Sequence, residues 1–429
     1  MKLSFLRPLG PVLLAGLAGC AVVDLPLRAT VAASEGEVRL AGLAHPVTIA
    51  RDEMGVPRIE ARNDDDLAFG IGYAMAADRL AQMVSYSLTA QGRLSEMAGP
   101  TTRDLDVYMR TLGLRRIAEQ QLAAASPRTR RLLDRFAAGV NAWVFAHKDK
   151  LPLDFKMSGY QPEPWAPVNS MDIFTLLNVG LSLNLNEELA FLSLAAKVGP
   201  EKAAWLIPSD GNPSLPAEEA KKLGDLPFAE LARLAAPQAA VQRQLHQLFL
   251  PLQQAASNNW ALAPEKTEGK FSILANDTHL MLEHPPVWML MQTATPQLRA
   301  GGVAIAGIPG IVAGYNGHVA WGMTMVMADT QDVFVEKLKT ENGRTYYEYR
   351  GEWRPVSERT EVLRIKGQPD ERIVVQETLH GPLLNAALAG RRVNDIQPPR
   401  TVVAAAGGGG GATPARQAHQ SKERGLQHA

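Results

Sequence analysis

Ser257-Asn258-Asn259-Trp260 divides the chain into two kinds of sequence. Downstream, Phe271-Ser272-Ile273-Leu274-Ala275, Val303-Ala304-Ile305, and the stretches 332–338, 346–353 and 360–365 read as strands, the 346–353 stretch by its alternation. Upstream, residues 217–256 are rich in Ala, Leu and Gln, show no strand pattern and hold no catalytic cluster, so they read as a connector. Further upstream the period is helical. Leu67, Ile71, Ala74, Met75, Leu80 and Met83 recur at three- and four-residue steps behind Asp64 to Asp66, which are the expected cap residues, and Gly92 and Gly99 punctuate the pattern. Helices are also expected near 115–125, 128–147 and 170–198, interrupted by the turn Tyr160-Gln161-Pro162-Glu163-Pro164-Trp165. One strand, Pro46 to Asp52, precedes them and turns at Met54-Gly55. The pattern predicts an α+β protein with a mainly helical N-terminal half.

Bulk properties narrow the function. A chain of 429 residues with 46% apolar content can bury a sizeable core and hold more than one domain. With 44 basic and 44 acidic residues, nothing points to nucleic acid or another polyanion, and a small-molecule substrate is expected. At the N-terminus, Lys2 and Arg7 precede an apolar run from Val12 to Ala18, short for a membrane span and suited to an export signal. Leu17-Ala18-Gly19-Cys20 resembles a lipobox, which would place a lipid anchor on Cys20 and the protein in the periplasm or on the outer membrane. An uncleaved anchor or a plain secretory signal are the alternatives. Cys20 is the one cysteine, so no disulfide forms within the chain.

Several stretches in fixed order resemble the penicillin acylase family of N-terminal-nucleophile hydrolases, over roughly residues 42–384. They are Arg51-Asp52-Glu53-Met54-Gly55-Val56-Pro57-Arg58-Ile59-Glu60-Ala61, Gly70-Ile71-Gly72-Tyr73-Ala74-Met75-Ala76-Ala77-Asp78-Arg79-Leu80, Gly92-Arg93-Leu94-Ser95-Glu96 and Ala138-Gly139-Val140-Asn141-Ala142. Ser257-Asn258-Asn259-Trp260 and Gly314-Tyr315-Asn316-Gly317-His318-Val319-Ala320-Trp321-Gly322 complete the set. The resemblance implies an αββα four-layer sandwich, incomplete at the C-terminus, and a zymogen that cuts itself between Ala256 and Ser257 to give a heterodimer. It divides the chain into a signal (1–20), a helical small-subunit-like region (21–216), the connector (217–256), a β-rich large-subunit-like region (257–398) and a disordered low-complexity tail (399–429).

Taken alone, Ser257 would read as a loop serine before a strand. The chemistry explains why a family would put it at a chain end. A hydroxyl is a weak nucleophile that needs a base within reach, and a free α-amine, with a pKa near about 8, is such a base on the same residue. The resemblance further implies that His279, 22 residues after Ser257, orients the α-amine, as in cephalosporin- and acylhomoserine-lactone-acylase relatives, and that the Met325 backbone N–H donates to the oxyanion. It implies a calcium loop of Asp329, the carbonyl of Gln331 and Asp332, with Glu187 or Glu188 from the helical half, because oxygen donors suit a hard cation. Implied substrates are small-molecule acyl amides, either β-lactam side-chain amides of antibiotic metabolism or acylated homoserine lactones. Met83, Tyr86, Trp288 and Phe334 are candidates for the acyl pocket.

One departure matters. The family's oxyanion asparagine and its supporting arginine fall beyond residue 429, and after Pro398 the run Val402-Val403-Ala404-Ala405-Ala406, five glycines from Gly407 and a polar tail resemble a truncated gene. A catalytically inactive fragment is therefore the second expectation, since a lost oxyanion donor costs a factor of about 10² to 10³ in rate.

Overall fold

Residues 63–92 show in one element how the N-terminal half becomes helical. Asn63 is in extended conformation and its side-chain oxygen accepts the Asp66 N–H at 2.8 Å, which starts helix α1, Asp64–Gln91. The cap is thus Asn63, and Asp64, Asp65 and Asp66 fill the first turn, where their charge complements the helix dipole. This corrects the expectation that the aspartates are the caps. Gly92 ends the helix in the left-handed conformation that glycine adopts without strain.

The computed structural model describes residues 35–181, 184–206, 226–235, 256–280, 282–325, 331–384 and 401–406. The chain forms two units. The first comprises Met1–Leu181, Arg243–Val326 and Val362–Glu371, and the second Ser182–Gln242, Met327–Glu361 and Arg372–Ala429. Both mix helix and sheet, so the α+β class holds, with a mainly helical N-terminal half.

In the first unit, α1 packs with α2 (Arg103–Leu112), α3 (Leu114–Ala124), α4 (Pro127–Ala146) and α5 (Pro167–Leu181). Phe69, Met75, Leu80, Met83, Tyr108, Phe136 and Ile173 form the centre of its core. Helices α1 and α4 cross so closely that glycine is required on both. A Cβ on Gly72 would lie 2.1 Å from the Phe136 carbonyl oxygen, and one on Gly139 would lie 1.9 Å from that of Phe69. Two of the glycines in the quoted stretches are therefore packing residues. Beside the helices, a six-stranded sheet runs in the order β1-β2-β5-β6-β7-β8, from Thr48–Arg51, Pro57–Glu60, Trp288–Ala294, Arg299–Ile305, Ala313–Tyr315 and Ala320–Trp321. Only β2 and β5 pair in parallel. The remaining strands, β3 (Ala256–Leu262) and β4 (Ile273–His279), form a two-stranded ribbon of their own.

Buried carboxylates tie the helical part together. Asp106 accepts the N–H groups of Leu94 and Ser95 at 2.9 and 2.7 Å, together with the Ser95 hydroxyl, so it fixes the Gly92–Glu96 corner. Arg93 in the same corner forks onto Glu96 at 2.8 and 2.7 Å and also binds Glu163. Asp172 on α5 accepts from Ser87 and Gln91 of α1 at 3.0 Å each, and from Arg115 of α3 at 2.7 Å.

In the second unit, a four-stranded sheet has the order β11-β10-β9-β15, built from Glu352–Pro355, Arg344–Tyr349, Asp332–Glu341 and Thr401–Ala406. Leu338, Tyr347, Val356 and Leu383 are its buried cluster. Helices α6 (Asn184–Val198), α7 (Pro200–Leu206) and α8 (Phe228–Ala235) belong to the same unit, as do β13 and β14, Glu371–Thr378 and Gly381–Pro382, apart from the first residue of β13.

Three expectations are corrected. The alternating stretch 346–353 is two strands, because Arg350 and Gly351 both take positive φ, 55° and 80°, and turn the chain back. The helix expected over 170–198 is described as two, Pro167–Leu181 and Asn184–Val198. Thr401–Ala406, placed in a disordered tail, pairs antiparallel with Asp332–Lys337. The export signal, Cys20 and most of the 217–256 connector lie outside the described residues.

Burial holds the Asp172 carboxyl at a pKa of about 6, above its ordinary 3.8, against the opposing pull of Arg115. The folded state therefore holds a proton that the unfolded chain has lost between about pH 4 and 6, and this contribution to stability falls as pH rises through that window. Asp172→Asn removes it. Urea unfolding is expected to show the variant gaining about 3 kcal/mol relative to wild type between pH 4 and pH 7, from about two pK units. A difference that does not change with pH contradicts the assignment.

Candidate active site

The β3-β4 ribbon places the chemistry-bearing residues. Its antiparallel register pairs Ala256 with His279, Ser257 with Thr278, Asn258 with Asp277 and Asn259 with Asn276. Because side chains alternate along a strand, Ser257, Asn259, Asn276 and Thr278 share one face, and Ala256, Asn258, Asp277 and His279 share the other. On β4 burial follows the same alternation. Leu274, Asn276 and Thr278 are half-buried while Ile273, Ala275, Asp277 and His279 are exposed, and Ser257 is the one half-buried residue of β3.

Each residue of Asn276-Asp277-Thr278-His279 has a specific contact. Thr278, opposite Ser257, accepts the indole N–H of Trp288 at 2.9 Å, which ties the end of β4 to the first residue of β5. His279 directs Nε2 to Asp277 Oδ2 at 3.0 Å. With that nitrogen as donor to the carboxylate, Nδ1 carries the free lone pair. Asn276 binds the Met323 backbone twice, its Oδ1 accepting the N–H at 2.9 Å and its Nδ2 donating to the carbonyl at 3.0 Å, and Nδ2 also donates to the Asn258 carbonyl at 3.0 Å. Gly322 lies against this pair, where an added Cβ would be 2.6 Å from Asn259 Nδ2 and 2.8 Å from Asn276 Cβ.

The resemblance singles out Ser257, His279 and Met325, but not Asn276, Asp277, Thr278 or Trp288, whose contacts the structure adds. The signal was a polar residue at every position from 276 to 279 of a strand. His279 sits across from Ala256, the residue before the expected cleavage, and its side chain is on the face opposite the Ser257 hydroxyl. Met325 is half-buried and follows the braced Met323 by two residues. Of the acyl-pocket candidates, Met83 and Tyr86 are buried in the first unit's core. Phe334 belongs to the second, where it stacks on His380 at 4.2 Å.

The calcium candidates fall in the second unit. Glu188 Oε2 accepts the Val333 N–H at 2.5 Å, which brings this carboxylate to the residue following Asp332 and so close to two of the proposed loop ligands, Gln331 and Asp332. Asp329 and the Glu187 side chain lie outside the described residues. Among the described residues, no three His, Cys, Asp or Glu side chains cluster for a metal. The donors that are described are all oxygens, as a hard cation requires.

Residues 46–419 match the family model described as penicillin amidase. The match runs past the strand Thr401–Ala406 into the glycine-rich segment, so the family resemblance does not stop at the expected limit near 384. The chain is 48% identical over 387 residues to the acyl-homoserine lactone acylase QuiP of Pseudomonas aeruginosa, covering 90% of this chain and 45% of that protein. It is 31% identical over 366 residues to the penicillin acylase 2 proenzyme of a Pseudomonas species, covering 83% and 46%. Among solved structures, a thermostable penicillin G acylase from Alcaligenes faecalis matches 40% of this chain and 96% of that one, at 25% identity and a TM-score of 0.33. The chain spans about 45% of the length of these curated relatives.

Proposed function

The chain belongs to the penicillin amidase family, and on that premise we propose that it is an amidohydrolase that opens linear amides through an acyl-enzyme on Ser257. The observation that carries this reading is the register of β3 and β4. Ser257 is the second residue of its strand, directly after Ala256, and Ala256 pairs with His279, which supports a role for His279 at the proposed cleavage bond.

Maturation and turnover use the same hydroxyl. In maturation, Ser257 Oγ attacks the Ala256 carbonyl carbon, the Ala256–Ser257 amide bond breaks as an ester forms, and water hydrolyses the ester. Ser257 then carries a free α-amine, and the connector end leaves. In turnover, the α-amine takes the Oγ proton as Oγ attacks the substrate carbonyl, and the same proton goes to the departing amine. Water then releases the acid. The Met325 N–H is the proposed oxyanion donor, and such a donor is worth about 3 kcal/mol. His279, oriented by Asp277, is proposed to accept from the new α-amine and so to turn its lone pair toward Oγ. The matured protein would be a heterodimer cut from one chain.

The proposed substrate class is supported by the family and by the names of its members. An acyl chain joined through an amide to a small polar amine is common to acylated homoserine lactones and to β-lactam side-chain amides. Identity to the acyl-homoserine lactone acylase favours the former. Export, with a lipid anchor at Cys20, belongs to the same reading and rests on the N-terminal sequence alone.

Calcium is proposed at Glu188, Gln331 and Asp332, with Glu187 and Asp329, as a structural ion that would hold the start of β9. A ligand bound only by the folded chain stabilises it by about 2.7 kcal/mol at a hundredfold excess over Kd. Added calcium is expected to raise the melting temperature of wild type and to leave Glu188→Gln unchanged; equal responses of the two would contradict the site.

The reading as a whole is tested by intact mass and N-terminal sequencing of the purified chain. Wild type is expected to yield a second N-terminus, Ser-Asn-Asn-Trp, and Ser257→Ala a single uncut chain. An uncut wild type indistinguishable from the variant would support the inactive-fragment alternative.

A further inference from the structure

The Asn276 side chain makes three hydrogen bonds, two that connect the nucleophile strand pair to the segment that leads to Met325 and one that stays within the strand pair. Its carboxamide substitutes for a neighbouring strand, accepting the N–H and donating to the carbonyl of the same residue, Met323, at 2.9 and 3.0 Å. The second Nδ2 proton goes to the Asn258 carbonyl at 3.0 Å, the residue directly after Ser257. A primary amide offers this pair together with the second N–H, whereas a carboxylate lacks the donor and a lysine the acceptor. Gly322 supplies a second, independent sign that the approach is built in. Its Cα lies so near the ribbon that a Cβ would be 2.6 Å from Asn259 Nδ2 and 2.8 Å from Asn276 Cβ. Asn259, Asn276 and Ser257 share one face of the ribbon, on which Asn276 and Ser257 are half-buried and Asn259 is exposed, so Gly322 and Met323 dock on the face that carries the hydroxyl.

We infer that Asn276 is a positioning residue for the reaction, which holds the 322–325 backbone against the Ser257 strand so that its N–H groups keep a fixed place relative to Oγ. The inference rests on Ser257 being the nucleophile. It assigns Asn276 no contact with the substrate; Asn276 acts through the backbone it braces. An oxyanion donor stabilises a transition state only if it is already in place when charge develops, so a loosened backbone is expected to reduce kcat and leave substrate binding little changed.

The experiment uses the full chain. Asn276→Ala and Asn276→Asp are compared with wild type by hydrogen exchange of the 320–325 peptide, by appearance of the Ser257 N-terminus, and by turnover of an acyl p-nitroanilide. The brace predicts at least tenfold faster exchange of the Met323 amide in Asn276→Ala. Asn276→Asp, which keeps the acceptor, should fall between the two. In matured chains, kcat is expected to fall by about 10² with KM within about threefold. Gly322→Ala, which leaves Asn276 intact but forces the segment away, is expected to give the same kinetic signature. Unchanged exchange at Met323, or full kcat in a matured Asn276→Ala, would overturn the inference. So would a kcat loss that only follows the unfolded fraction. A wild type that never exposes Ser257 would overturn the proposed function instead, and the exchange rates would still decide whether Asn276 holds the segment.

Discussion

The antiparallel pairing of Ala256–Leu262 with Ile273–His279 is the constraint on which the rest of the site depends. A strand pair has a period of two, so a slip of one residue would exchange its faces. In the observed register Ser257, Asn259, Asn276 and Thr278 point one way and Asp277 and His279 the other. A slip would move Asn276 away from Met323 and Thr278 away from Trp288. The Asn276 Nδ2 bond to the Asn258 carbonyl spans the two strands and resists such a slip, while the bonds to Met323 and Trp288 hold the Asn276 and Thr278 face of β4 in place. Four consecutive residues, 276 to 279, thus do three separate tasks. They dock a backbone segment, anchor the next strand and orient a histidine.

The helical part of the first unit gives that ribbon a rigid neighbour. Its stability comes from helix crossings that admit no Cβ at Gly72 or Gly139, and from carboxylates taken out of water and given donors. Asp106 and Asp172 are both pushed up to a pKa of about 6 by burial, yet each accepts several hydrogen bonds. Such groups destabilise strongly when one partner is lost and contribute little otherwise, so they fix which helix faces meet more than they add to stability. From α1, Arg79 and Gln82 donate to the Pro286 carbonyl at 3.1 and 3.2 Å, two residues before Trp288. Polar contacts from the long helix thus hold the chain just before β5, whose first residue, Trp288, bonds Thr278, the strand partner of Ser257.

Much of this was legible in the sequence, for physical reasons. The helical period of 64–91 and the glycine that ends it are local, as is the switch to strands after Ser257. Ser257 becomes a candidate nucleophile through its flanking stretch, because a serine at that point of the chain has a chemical reason to be there. What stayed hidden depends on contacts distant in sequence. Nothing near Asn276 indicates that it will bind a backbone 47 positions away. Nothing in 346–353 distinguishes one strand from two until Arg350 and Gly351 take positive φ. Thr401–Ala406 has too little alternation to be read as a strand, and its conformation comes from pairing with β9. Asn63 was passed over as a cap because three aspartates follow it, each a good cap residue by type.

The central claim is that Ser257, freed at its amine, forms the acyl-enzyme, and peptide mass mapping after brief incubation with an N-acyl amide substrate at low pH tests it most directly. The account predicts a peptide beginning at Ser257 that carries the acyl mass, absent from Ser257→Ala. An acyl group found on another residue, or none on a chain whose Ser257 is exposed and whose substrate is consumed, would contradict it.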